Sequence, residues 1–340
     1  ETYHIPQVVE SILNQSYQTF LIYIVADKCD ITNLKFDDER IIIIKPVEVI
    51  GSNTGSHQFA INNFKRLHTH LTIIDSDNIL HPKYLEELNK YFNAGFVAVQ
   101  GTRAAKNLNT TYACLDAARD IYYHFYDGIV LFNSGSSATL AGSGMGFEIQ
   151  LYVSFLKQNK VSGAGFDKVL QAWLLKQNIR IAFNAEAIVY DEKTTKSDQL
   201  VKQRSRWINT WFKYFKYGFQ IFFQGLQNLS LNQTIFGLVL LRPPLFIFLI
   251  LSVLAVFVNL IIGLSITYWL LGFISFIISF FLALVLSETD FKIYASLINI
   301  PKFVFFQILS LLKVRKANQI SVATKHFHEN EKSDIKKSKR

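Results

Sequence analysis

The sequence predicts an α/β protein, a mostly parallel sheet with flanking helices, followed by interfacial and transmembrane helices. Three observations carry this. Up to about residue 228, short apolar β-branched runs alternate with stretches of helical periodicity, the pattern of strands joined by crossover helices. From Phe236 to Leu312 the chain is mostly Leu, Ile, Phe and Val. And the run Leu71-Thr72-Ile73-Ile74 stops at Asp75-Ser76-Asp77-Asn78. Alternation along an extended chain puts Asp75 and Asp77 on one side, past the carboxyl end of a strand, where open α/β sheets bind ligands.

Taken in order, residues 5–15 place Ile5, Val8, Val9, Ile12 and Leu13 at helical spacing. Residues 20–26 read as a short buried strand closed by Asp27-Lys28-Cys29-Asp30, and residues 41–44 as another. A loop over 51–55 and a helix over 58–67 precede the strand that carries Asp75 and Asp77. A helix over 82–92, a strand over 97–101 and an aromatic-faced helix over 110–126 follow. The stretch 138–147, with Gly142, Gly144 and Gly146, lacks the early βαβ context of a dinucleotide site. It reads as a loop whose backbone approaches a sugar, or as a tight turn. Asp167 starts a helix over 163–176, a strand spans 180–189, and Tyr190-Asp191-Glu192-Lys193 leaves it. Gln203-Arg204-Ser205-Arg206-Trp207 opens a basic and aromatic helix, the composition of a segment in the headgroup layer. Each site residue has a plainer reading as well: Asp75 and Asp77 as turn residues, Asp27 and Asp167 as helix caps, Trp207 as an interface anchor.

Two carboxylates aimed at one point repel unless a cation lies between them. Hard oxygen ligands suit Mg²⁺ or Mn²⁺, and either can bridge to a diphosphate. The net charge is +9, and much of it follows the apolar region. Beside membrane segments, such a basic tail marks a cytoplasmic flank near anionic lipid; no nucleic-acid module is recognised. Cys29 and Cys114 form neither metal spacing nor a disulfide framework and fit a reduced compartment. The sequence begins at Glu1, and Met145 is its only Met, which reads as a start inside a larger protein.

These residues resemble, in the right order, the membrane-bound family 2 glycosyltransferases, the group of cellulose, chitin and hyaluronan synthases. Residues 11–17 resemble the family's first helix. Ile24-Val25-Ala26-Asp27 resembles its base-binding strand and Asp, and Asp75-Ser76-Asp77 its Asp-x-Asp. Gly142-Ser143-Gly144-Met145-Gly146-Phe147 resembles its acceptor loop, Asp167 falls where its catalytic base stands, and Gln203, Arg206 and Trp207 match Gln-x-x-Arg-Trp. Phe166 departs from the pattern, which usually has Glu before that Asp. The family's first strand and an N-terminal membrane segment are expected to precede Glu1.

The resemblance implies a GT-A-like fold and an inverting transfer of sugar from a nucleotide-diphosphate sugar, a UDP-sugar, to a growing polysaccharide or glycan. It implies Asp75 and Asp77 as metal ligands, Asp27, Asp75 and Arg206 as donor contacts, and Asp167 as base with Asp191 next in line. Trp207, Gly144, Met145 and Gln203 would contact the acceptor. The alternatives are a non-processive enzyme acting on a lipid, or a silent nucleotide-sugar-binding scaffold. The expected domains are a cytosolic catalytic domain over residues 1–202, an interfacial region over 203–233, membrane helices over 234–312 and a basic cytoplasmic tail over 313–340. Residues 245–262 and 266–286 each approach the ~20 apolar residues of a spanning helix. Residues 293–312, with Pro301 and Lys302 at the centre, read as interfacial or re-entrant. The expected location is a plasma or inner membrane, multi-pass, with lipid as a partner, the catalytic domain in the cytoplasm, and no nucleic acid bound.

Overall fold

The computed structural model describes residues 2–161 and 163–312; the basic tail lies outside the described residues. In chain order the elements are α1 (Ile5–Leu13), β1 (Ile22–Val25), β2 (Ile41–Ile44), α2 (Asn53–Asn62), β3 (His70–Ile73), β4 (Ile79–Leu80), α3 (Tyr84–Asn93) and β5 (Ala98–Ala105). Then come α4 (Thr111–Tyr123), a π-helical stretch (His124–Val130), α5 (Leu131–Asn133), β6 (Met145–Glu148), α6 (Ile149–Gln158), α7 (Phe166–Lys176) and β7 (Ala182–Asp191). The remainder is helical: α8 (Ser197–Tyr214), α9 (Lys216–Gln227), α10 (Leu231–Leu241), α11 (Leu245–Ile261), α12 (Thr267–Leu286), α13 (Phe291–Ser296) and α14 (Ile300–Leu312). The chain divides into two compact units. The first joins residues 1–106 to 131–192, and the second joins 107–130 to 193–340.

The first unit is the α/β one. β1 and β2 pair in parallel under α1, where Ile5 and Val9 pack on Ile22 and Leu34. A five-stranded sheet runs in the order β3-β6-β5-β7-β4. β5 and β7 are parallel, β6 is antiparallel to both β3 and β5, and β4 is antiparallel to β7. The expected mostly parallel sheet is thus a mixed one, with β3, β5 and β7 pointing one way and β6 and β4 the other. α3 covers it, burying Tyr84 and Leu88 against Leu80, Val99, Ala187 and Val189. The helix expected over 58–67 begins earlier, because Ser52 caps it by accepting from the Gly55 N–H. β6 forms inside the glycine-rich stretch expected to be a loop. A Cβ at Gly146 would lie 2.9 Å from Phe92 Cζ and 3.2 Å from Leu88 Cδ1, so a larger residue there would make these α3 side chains shift.

The second unit is helical. Phe303 of α14 is buried against Leu115 of α4 and Leu200 of α8. Tyr126, in the π-helical stretch, donates its hydroxyl to the Ser279 carbonyl of α12, 2.9 Å away, and Asp127 pairs with Arg242. Among the described residues, Thr267–Leu286 and the run Phe291–Leu312 are long and apolar enough to cross a membrane. Leu231–Leu241 and Leu245–Ile261 qualify only together, bent by 72°. The bend falls at Arg242-Pro243-Pro244, since a residue before proline is driven out of the helical region and proline cannot donate to the preceding turn. Pro301 is the second residue of α14, where its missing N–H is not needed, and the Lys302 ammonium lies 5.8 Å from the Tyr112 ring centroid. Gln203 does not open its helix: α8 starts at Ser197, with Asp198 in its first turn complementing the helix dipole.

Candidate active site

In the first unit, β3 ends at Ile73, and the turn after it carries Asp75, Asp77 and Asn78. β7 ends on Asp191 and α7 begins with Phe166 and Asp167. Arg103 of β5 pairs with Asp191 at 2.7 Å and donates to the Ala141 carbonyl at 2.8 Å. Asp77, Asp191 and Asp167 all act on the Asp75 carboxyl. Burial among protein atoms is the larger cause that pushes it up to about 7, with Arg103 pulling the other way and the three carboxylates adding to the rise. Asp75 is nevertheless exposed to solvent: protein atoms crowd its surroundings, but it sits at an open mouth and not in a sealed core.

The loop ahead of β6 ties this group together. Gln100 accepts from the Ala141 N–H at 2.9 Å and donates to the carbonyls of Ser143 and Gly144 at 3.1 and 3.2 Å. Lys168 donates to the Leu140 carbonyl at 2.7 Å and lies 3.2 Å from Asp167. Gln171 accepts from the Leu140 N–H at 3.0 Å. Gly144 adopts a φ of +68°, and through it the loop turns into β6; its N–H donates to the Ile73 carbonyl at 2.9 Å. Ser143 accepts from the Asp75 N–H at 3.0 Å and donates to Asn78 at 2.6 Å.

The other expected residues fall as follows. Asp27 accepts from the N–H groups of Ile50 and Gly51 at 3.0 and 2.7 Å, which anchors the loop after β2. Met145 is fully buried in β6, opposite Ile73 and Gln100. Its thioether has no exposed surface, so the side chain serves the core. Phe166 is also buried, its ring edge against His57 at 5.3 Å.

Gln203, Arg206 and Trp207 lie in the second unit, on α8. Gln203 accepts from the Thr194 hydroxyl at 3.3 Å. Arg206 is half-buried, and burial lowers its guanidinium below the ordinary value. Trp207 is not a bare platform. The guanidinium carbons of Arg204 and Arg119 lie 4.1 and 4.4 Å from its ring centroid, while 39% of the residue stays exposed. Arg204 is buried and pairs with Asp116; burial, aided by the charge of Arg119, pulls it down to about 10. Against burial, Arg119 and Lys193 hold the Asp120 carboxyl well below the usual range.

Sequence reasoning missed Arg103, Gln100, Asn78, Ser143 and Lys168. Asn78 and Ser143 stood inside motifs already singled out, so their place was visible and their role was not. Arg103 and Gln100 carried no signal, because only the pairing of β5 with β6 and β7 brings them to the carboxylates.

No curated protein matches the chain in sequence. Among solved structures, the mannosyltransferase PcManGT from Pyrobaculum calidifontis, in complex with GDP-Man and Mn²⁺, is similar with a TM-score of 0.50 and 10% identity, over 93% of this chain and 84% of that one. That likeness is one of fold. S. aureus TarS and its fragment 1–349 each align with a TM-score of 0.36 and 13% identity, over 59% and 61% of this chain and 36% and 60% of theirs, too low to carry an argument. The family model described as "Glycosyltransferase like family 2" matches residues 1–210, well over half of the 340. With that match laid over a sheet whose strand ends gather the Asp-x-Asp, the chain belongs to glycosyltransferase family 2.

Proposed function

We propose that the protein is a membrane-anchored, inverting glycosyltransferase that moves a sugar from a nucleotide-diphosphate sugar to a polysaccharide, glycan or lipid-linked acceptor. The observation that carries this reading is the gathering of Asp77, Asp167, Asp191 and Arg103 around Asp75 at the strand ends. The carboxylates suit a hard cation, Mg²⁺ or Mn²⁺, because their crowding is what such an ion relieves. Among the described residues no three His, Cys, Asp or Glu side chains form a ready-made cage. Asp77 and Asp75 would therefore hold the ion together with oxygens of the donor diphosphate and water, as Mg²⁺ and Mn²⁺ sites commonly do. Bound there, the ion supplies positive charge to the diphosphate as its bond to the sugar breaks.

The chain's own residues do the rest. Asp167, at the start of α7, takes the proton of the attacking acceptor hydroxyl, and the attack on the face opposite the leaving group inverts the anomeric carbon. Lys168 keeps Asp167 beside the Leu140 carbonyl and so fixes where that base stands. Arg103 holds Asp191, which lines the same mouth. In the first unit, Asp27 organises the loop that would meet the nucleotide base and the Gly144 backbone would meet the acceptor; within the second unit, Arg206 would supply fixed positive charge for a donor, and Trp207 with Gln203 a face for an acceptor sugar. The long apolar helices after Arg242 support a membrane-anchored enzyme, whose catalytic part would face the cytoplasm at a plasma or inner membrane.

The test is turnover by the purified protein of a panel of labelled UDP- and GDP-sugars, with product partitioned between aqueous and lipid phases. Metal-dependent release of nucleotide with label on a glycan or lipid is expected. Binding of donors without any transfer under all conditions would overturn the reading.

A further inference from the structure

Asn78 carries the most constrained side chain at the mouth. It is fully buried, and so is Ser143. The Ser143 hydroxyl has one proton to give. It already accepts from the Asp75 N–H at 3.0 Å, and its own proton goes to Asn78 Oδ1 at 2.6 Å. That bond fixes the Asn78 amide, since an amide whose oxygen faces Ser143 must turn its nitrogen the other way. Asn78 Nδ2 then donates to Asp77 Oδ1 at 3.1 Å and reaches Asp191 Oδ1 at 3.4 Å. The backbone N–H of Asn78 donates to the Asp75 carbonyl at 3.1 Å, closing the turn on itself.

We infer that Ser143 and Asn78 form an orienting relay: the hydroxyl sets the amide, and the amide holds one oxygen of Asp77 so that its carboxylate is presented for a divalent cation. The glycine-rich stretch, whose resemblance points to the acceptor, thereby also governs the donor side of the site. The inference rests on the reading of Asp77 as a cation ligand. Neutral hydrogen-bond partners of this kind orient metal-binding carboxylates elsewhere, and losing one costs about 10- to 100-fold in metal affinity. Neither residue touches the cation; both are positioning residues. Because Ser143 works through Asn78, their effects must not add. Once the amide is gone, the hydroxyl keeps only its bond from the Asp75 backbone N–H, which does not reach the Asp77 carboxylate.

The experiment is titration of Mn²⁺ into the purified full-length chain, with uridine or guanosine diphosphate present, read by the electron paramagnetic resonance signal of free Mn²⁺. Ser143→Ala and Asn78→Leu are each expected to weaken Mn²⁺ binding about 10- to 100-fold. The double variant is expected to bind no more weakly than Asn78→Leu alone. Thermal melting of each variant shows whether the fold survives, and the non-additivity of the pair is a readout that general loosening does not produce. If Asp77→Ala abolishes binding while Ser143→Ala and Asn78→Leu bind as wild type, the relay is overturned and the cation site stands. Additive losses in the double variant overturn it too. If Asp77→Ala binds Mn²⁺ like wild type, the cation reading itself falls, and the relay with it.

Discussion

Replacing Trp207 by Ala tests what the ring does. Its centroid lies 4.1 Å from the Arg204 guanidinium and 4.4 Å from that of Arg119. Both guanidinium groups are close enough to lie against the ring. A cation on an aromatic face is worth about 0.5–1 kcal/mol when exposed and about 2 when desolvated, and Trp is the best such face. Arg204 is buried and Arg119 mostly so. Loss of both contacts therefore costs about 2–3 kcal/mol, and Trp207→Phe or Trp207→Tyr should recover most of it. The exposed part of the ring remains available to an acceptor sugar. The double role predicts that Trp207→Ala lowers the thermal midpoint and weakens glycosyl transfer, whereas Phe and Tyr restore the midpoint and part of the transfer. The assay pairs melting, followed by intrinsic fluorescence in detergent, with rates of transfer and of donor hydrolysis at a temperature where every variant is folded. A Trp207→Ala protein that melts with the wild type would refute the supporting role. Equal loss of hydrolysis and transfer, with release from the membrane, would leave Trp207 as an interface anchor only.

The remaining predictions are briefer. Asp77→Ala should remove metal-dependent transfer with the fold intact; wild-type rates at saturating Mg²⁺ or Mn²⁺ would move the ion elsewhere. Asp167→Asn should bind donor normally and turn over about 10²–10⁴-fold more slowly, the usual contribution of a general base, and unchanged transfer would pass the role to Asp191. His57, packed inside the first unit with its Nδ1 2.7 Å from the Tyr152 hydroxyl, is pulled down to about 4 by burial. A depressed folded value means stability that is complete above the unfolded value of 6.5 and is lost as pH falls through 4. The loss is about 3 kcal/mol, and melting of His57→Gln between neutral pH and pH ~4 should show a flatter acid limb than wild type. Parallel curves for the two proteins would contradict it.

What the sequence disclosed depended on whether a feature is local. Helices such as α1 and strands such as β2 have their apolar spacing written into a few consecutive residues, and Asp75 and Asp77 announce themselves by ending an apolar run. β6 was hidden because glycine is a poor strand former, and the reason for Gly146, the nearness of Phe92, lies more than fifty residues away in the chain. The start of α2 was hidden by its glycine and its polar residues, which read as loop until Ser52 is seen to cap it. Arg103 and Gln100 were illegible for the same reason as β6: an isolated Arg or Gln in a strand has no meaning until pairing brings it to the site. Trp207 was legible as an aromatic in a motif, yet its two guanidinium neighbours arrive from α4 and from one turn earlier on α8.

Phe166 bears most directly on whether the site is complete. Its burial against His57 makes it a packing residue that starts α7, so Asp167 keeps its place at the mouth without an acidic neighbour before it. The charges then balance in a particular way. Asp75, Asp77, Asp167 and Asp191 offer four negative charges when ionised, and Arg103 and Lys168, which touch two of them, offer two positive ones. The two negative charges left over are what one divalent cation would neutralise. A glutamate at position 166 would have added a fifth negative charge beside Asp167. With phenylalanine there, Asp167 has Lys168 as its charged neighbour, 3.2 Å away, and no acidic residue directly before it in the chain. On the function proposed above, that arrangement leaves room for one cation and one base within the mouth, so Phe166 in place of an acid fits an active enzyme.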